Sequence, residues 1–135
     1  MRFFQEPSFE AVRLSELPGV VAREKELGHS FVNLNATVVD EGCELLYAFR
    51  ASHADAGLTG YTVLVRPGST VPSITGQYPV AFVFENEAHD LFGIDFDGIS
   101  IDFEGNLYQL SVAYPMNPRA AINDPDKRDY QRETE

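Results

Sequence analysis

Glu85, Glu87, His89 and Asp90 lie close together in the chain, and carboxylates beside a histidine are the material of acid–base catalysis and of metal sites. On a helix turning by about 100° per residue, Glu85 and Glu87 diverge by about 160° and do not form a carboxylate pair. Glu85 and His89 are four residues apart and share a face. A di-metal bundle site, however, needs a second Glu/His helix, and the earlier helical segment offers Glu24 and no histidine. The other histidines, His29 and His53, read as isolated, on or near loops. Cys43 sits beside a turn without a neighbouring base, and no serine lies in a Gly-x-Ser-x-Gly setting. Gly57, Gly60, Gly68 and Gly76 are spread through turns, not gathered into a phosphate-binding loop. These residues point to a charged helix that is solvated or faces a partner, and away from a self-sufficient active site. A small enzyme working through Glu85, His89 and Asp90 stands as the competing class.

The element that carries this cluster spans Tyr78 to Phe92, with Gly93 as its stop and Thr75 and Pro79 near its start. Val80, Ala81, Phe84, Ala88, Leu91 and Phe92 fall in one arc about 120° wide, the expected core stripe. Phe82 and Val83 lie on the other side with Asn86, His89 and Asp90, so something besides water is expected to cover that second face. Before it, Ser15 reads as the N-cap of a first helix, about Glu16 to Leu27, ended by Gly28. From Phe31 the period becomes two, with Val32, Leu34, Ala36 and Val38 on the buried face. Asp40-Glu41-Gly42 turns the chain, Glu44 to Ala51 returns antiparallel, and Thr59 to Arg66 completes a three-stranded meander ending at Pro67-Gly68. Residues 1–13 read as an extended lead-in or edge strand. Pro72, which lacks a donor, keeps Val71 to Gly76 out of a central strand. Ile99 to Phe103 and Leu107 to Val112 read as a terminal hairpin. The expected fold is therefore α+β: two helices on a mainly antiparallel sheet, one domain over 1–113, and an extended, flexible tail over 114–135.

Composition narrows the function classes. With 135 residues, 44% of them hydrophobic, the chain suits one domain with a real core. Twenty-one acidic against ten basic residues give a net charge of -11, which disfavours nucleic acid as a partner. A single cysteine excludes an internal disulfide and any Cys-based cluster built from this chain alone. No signal segment and no apolar run long enough to span a bilayer is expected, so the chain reads as cytoplasmic or as a soluble part of something larger.

The run Glu85-Asn86-Glu87-Ala88-His89-Asp90-Leu91-Phe92-Gly93-Ile94 resembles the family of the 30-kDa subunit of NADH-quinone oxidoreductase, with its shorter relatives in energy-converting nickel–iron hydrogenases. The family pattern is Glu-Arg-Glu, a short variable stretch, then Asp, Leu or Met, Phe, Gly, and Ile or Val. Pro72-Ser73-Ile74-Thr75 matches a motif that precedes this helix in members. Asn86 stands where the respiratory subunit has Arg. Ile99-Ser100-Ile101-Asp102-Phe103 replaces its His-Pro-Asp-Leu-Arg-Arg run, and both departures look more like the hydrogenase-type subunit. The resemblance implies a non-catalytic structural subunit of the hydrophilic arm. It carries no cofactor of its own and packs against a large catalytic subunit and an iron–sulfur small subunit, which hold the nickel–iron and iron–sulfur centres. It would be peripheral to the inner face of the membrane. It also implies a signature and partner interface at Pro72, Ser73, Thr75, Phe82, Val83, Glu85, Glu87, Asp90, Phe92 and Gly93, with the carboxylates paired to a neighbour's Arg or Lys. The runners-up are the equivalent 30-kDa part of an NADH-quinone dehydrogenase and a free-standing adaptor binding through the tail.

Overall fold

The alternating strands expected between residues 31 and 66 build a sheet whose inner face the two long helices cover. The structure, a computed structural model, describes residues 8–51, 57–99 and 114–122. Strands β2 (Ser30–Val39), β3 (Gly42–Arg50) and β4 (Leu58–Val65) form the antiparallel meander. The edge strand β1 (Ser8–Val12) adds parallel to β4, giving the order β1-β4-β3-β2. Leu45, Tyr47 and Phe49 of β3 and Tyr61, Val63 and Val65 of β4 are buried on one face, as their period of two requires. Helices α1 (Leu17–Glu26) and α2 (Ala81–Phe92) send Leu17, Val21, Ala81 and Ala88 into that same core. Phe31, Phe49, Tyr61, Tyr78 and Phe84 stack within it in tilted and edge-on pairs, with ring centroids 5.4 to 6.0 Å apart.

Several local expectations give way to specific contacts. A bulge between Phe31 and Asn33 puts Phe31 with Leu34 and Ala36 against the core and leaves Val32 exposed, while Val38, in register opposite Cys43, is exposed near the end of the strand. Ser15 is not an N-cap. A 3₁₀ turn over Leu14–Glu16 precedes α1, and it is Glu16 that reaches back, its Oε1 accepting from Arg13 N at 2.8 Å. At the other end Gly28 does stop the helix. Its amide donates to Lys25 O and that of His29 to Glu24 O, a Schellman closure with Gly28 left-handed at φ 74°.

Pro72 closes a short strand β5 (Thr70–Pro72) that pairs in parallel with β6 (Asp95–Asp97), a strand absent from the expected pattern. The unit β5–α2–β6 is thus a compact crossover beside the main sheet. Thr75 does not cap α2. It lies in the turn over 75–77, and Val80, without a side-chain cap, is the residue that precedes the first helical turn. The start of the expected tail is folded: residues 114–117 turn back and lead into a short helix α3 (Pro118–Ile122). The expected hairpin over 99–112 and the rest of the tail lie outside the described residues, apart from Ile99.

At the β2–β3 turn Gly42 has φ 148°, and a Cβ there would stand 2.2 Å from Val65 O on the neighbouring strand. Gly42→Ala therefore forces β3 and β4 apart. A loss of about 1–3 kcal/mol is expected in urea unfolding, with an unchanged m-value.

Candidate functional site

The segment Pro72-Ser73-Ile74-Thr75 and the first half of α2 meet around one carboxylate. Glu85 is fully buried. Ser73 Oγ donates to its Oε1 at 2.6 Å and Ile74 N to its Oε2 at 2.8 Å. Ser73 Oγ also accepts from Thr75 N at 3.1 Å and lies 2.7 Å from Thr75 Oγ1, while Ser73 N donates to Asp97 O at 2.9 Å. One serine therefore joins β5, β6 and α2. Burial pushes the Glu85 carboxyl above its ordinary range, and the two hydrogen bonds pull back against that. Nearby, the Tyr47 phenol is raised well above its usual value, by burial first and the charge of Glu85 second.

Glu85 therefore cannot face a neighbouring subunit's Arg or Lys as expected, because both of its oxygens are engaged inside this chain. Asn86 and Asp90, on the opposite side of α2, are buried as well, so the part of the second face around them is covered by the chain itself. Asn86 Nδ2 donates to Phe82 O at 2.7 Å. Phe82 is half-buried, and so is Glu87. Val80, placed in the core stripe by periodicity, is 58% exposed, because the helix begins only after it. Val83 is 41% exposed. The outward strip thus consists of Val80, at the N-cap of α2, and Val83, with Glu87 beside them.

The C-terminal end of α2 is closed with equal care. Gly93 adopts the left-handed conformation at φ 72°, and its amide donates to His89 O at 2.9 Å. Two further helix-end carbonyls are taken by the 114–122 segment: Met116 N donates to Leu91 O at 2.8 Å and Asn117 Nδ2 to Phe92 O at 2.9 Å. Gly93 also has no room for a side chain, since a Cβ would meet Ala120 Cβ at 2.7 Å and the Tyr114 ring at 3.0 Å. His89 Nδ1 lies 3.0 Å from Ile94 O and 3.5 Å from Asp95 Oδ1. The signature's Glu, His and Gly thus connect to three different neighbours, and among the described residues no group of three His, Cys, Asp or Glu side chains is placed to hold a metal.

A second polar cluster is not evident from the sequence. His29 is not isolated: its Nδ1 pairs closely with Glu24 Oε2, while Tyr61 Oη donates to Glu24 Oε1 at 2.8 Å. Arg23 Nη2 donates to Tyr61 Oη at 3.0 Å, and Tyr78 Oη donates to His29 O at 2.7 Å. Lys25 Nζ sits 5.1 Å from the Tyr78 ring centroid. The signal available was Gly28, whose helix stop returns His29 toward the last turn of α1. These contacts fasten α1 to β4 and to the approach of α2.

The model of the family described as "Respiratory-chain NADH dehydrogenase, 30 Kd subunit" matches residues 10–114, and the chain belongs to that family. Its members are subunits of a multisubunit respiratory complex, so other subunits are their partners. The fold is similar to a chain in the structure of the membrane-bound sulfane sulfur reductase (MBS), an archaeal respiratory membrane complex, with TM-score 0.66 and 19% identity. That similarity covers 94% of this chain and 79% of the other. No curated protein matches the chain.

The Glu85 carboxyl supplies a pH test. Its pKa is raised in the folded state, so its contribution to stability is complete below the ordinary value of about 4.5 and is lost as pH rises through the folded value. Glu85→Gln mimics the protonated acid and removes that dependence. The difference in unfolding free energy, variant minus wild type, should grow as pH rises above about 4.5, read from urea titrations between pH 4 and 8.

Proposed function

We propose that this chain is a non-catalytic assembly subunit in the hydrophilic arm of a membrane-anchored, complex I-like oxidoreductase of the energy-converting nickel–iron hydrogenase type. Family membership supplies the class. The observation that carries the reading is the division of α2 into a braced inner part, held through Glu85, and an outward apolar strip at Val80 and Val83. Isolated apolar side chains on a surface are ordinary, but here two sit one helical turn apart on the element that carries the family signature.

The hydrogenase branch is favoured by Asn86. It is fully buried and donates to the carbonyl one turn back, so an Arg at this position, as in the respiratory subunit, would bury a guanidinium in a space that fits an amide. In this reading the large catalytic subunit and the iron–sulfur small subunit pack on the outward strip of α2. They hold the nickel–iron and iron–sulfur centres, and this chain holds none. Among the described residues no helix is long and apolar enough to cross a membrane, which suits a subunit docked on the cytoplasmic side through its partners.

Tagged protein purified from its native host should bring down a nickel–iron large subunit, and recovery as a partner-free monomer would overturn the proposal. Val83→Glu should leave unfolding of the isolated chain within about 0.5 kcal/mol of wild type, since the site is exposed. The same change should abolish co-purification of the large subunit, because it places an unpaired charge in an apolar contact.

A further inference from the structure

At the end of the sheet away from the Glu85 cluster, β3, the β4–β5 turn and α3 enclose a pocket of about 480 Å³. Val65, Pro67 and Phe92 supply apolar wall, and Arg66 and Arg119 both line it. Arg119 Nη2 donates to Val39 O at 2.9 Å. Neither guanidinium has a carboxylate partner among the described residues. Asp95, which also lines the pocket, lies 3.5 Å from the His89 ring. In a chain with 21 acidic and 10 basic residues, two exposed arginines at one cavity, with no ion pair to an acid among the described residues, run against the composition.

We propose that this pocket seats carboxylate side chains from an acidic segment of a neighbouring protein subunit. Guanidinium groups match carboxylates in a planar, two-pronged geometry, and an apolar wall beside them receives the methylene stem of a Glu. A polyphosphate backbone is the poorer occupant: two cations on a chain of net charge -11 supply too little neutralisation for nucleic acid. The pocket is separate from the outward strip of α2, so the chain would contact its complex on two sides. The proposal rests on membership of a subunit family and not on the hydrogenase assignment.

The test titrates the full chain, labelled with ¹⁵N, with a hexaglutamate peptide and separately with hexaglutamine. The expected result is that hexaglutamate alone shifts the amides of Gly68, Ser69 and Arg119 and that added salt weakens the effect. Arg66→Gln, which leaves the Arg119 bond to Val39 intact, should lower the affinity about tenfold with the remaining spectrum unchanged. The idea is overturned by equal shifts with hexaglutamine, by no shift at millimolar peptide, or by undiminished binding in Arg66→Gln. Succinate binding as tightly as the peptide would also overturn it, by making the pocket a small-molecule site. Because the titration uses this chain alone, its result is independent of which large partner is purified with it from the host.

Discussion

The pair of hydrogen bonds from Ser73 and Ile74 to the Glu85 carboxylate fixes the part of the molecule that bears the family signature. An ionised carboxylate taken out of water costs several kcal/mol unless donors replace its hydration. Glu85 forms no ion pair among the described residues, so the two donors carry that replacement. They come from a segment that cannot move independently, because Pro72 ends β5 and Ser73 N is bound to Asp97 O of β6. Once Glu85 is held, the roll of α2 about its axis is set. Ala81 and Ala88 then face the sheet as residues small enough for close approach, and Phe84 reaches the ring of Phe31. Removal of the carboxylate would leave the Ile74 N–H without its acceptor and Ser73 O–H with only Thr75 Oγ1 to turn to, which is why an acid at this position is structural.

Regular periodicity makes much of this fold legible in the sequence. The faces of β3 and β4, the Gly28 and Gly93 stops and the existence of both long helices follow from hydrophobic spacing and from glycine's access to positive φ. The departures have physical causes. Alternation alone places Val32 inward because it carries no sign of a bulge, and one extra residue turns Phe31 to the face of Leu34 and Ala36 in its place. Periodicity puts Val80 in a helix that in fact starts one residue later. Ser15 and Thr75 have the right chemistry for caps, but a 3₁₀ turn carries the chain through Ser15 into α1, and α2 starts six residues after Thr75, its first amides donating to Tyr78 O and Pro79 O.

The candidate site is legible in its location and not in its direction. Glu85, Glu87, His89 and Asp90 look like a surface cluster because ionisable groups are usually outside. The burial of Glu85 is met by donors that lie far away in sequence, such as Ser73, and the end of α2 is closed by a segment that returns late, 114–117. The Glu24–His29 pairing is similar: five residues separate the two, yet only the Schellman turn at Gly28 brings the ring back to the carboxylate. Side-chain composition identifies groups that need partners, and chain topology decides whether the partners are internal.

That distinction changes where partner recognition must be sought. If the signature acid is taken up inside the chain, its presence guarantees the shape of α2 and says little about which subunit lies against it. In the docking proposed above, specificity falls to side chains that the fold leaves exposed, Val80 and Val83 on one side and Arg66 on the other. Such residues can change without disturbing the Glu85 bridge, because exposed positions without shared partners couple weakly to a buried one. A single bracing device can thus underlie outer surfaces that differ, and the fold is similar to that of a chain in the sulfane sulfur reductase at 19% identity.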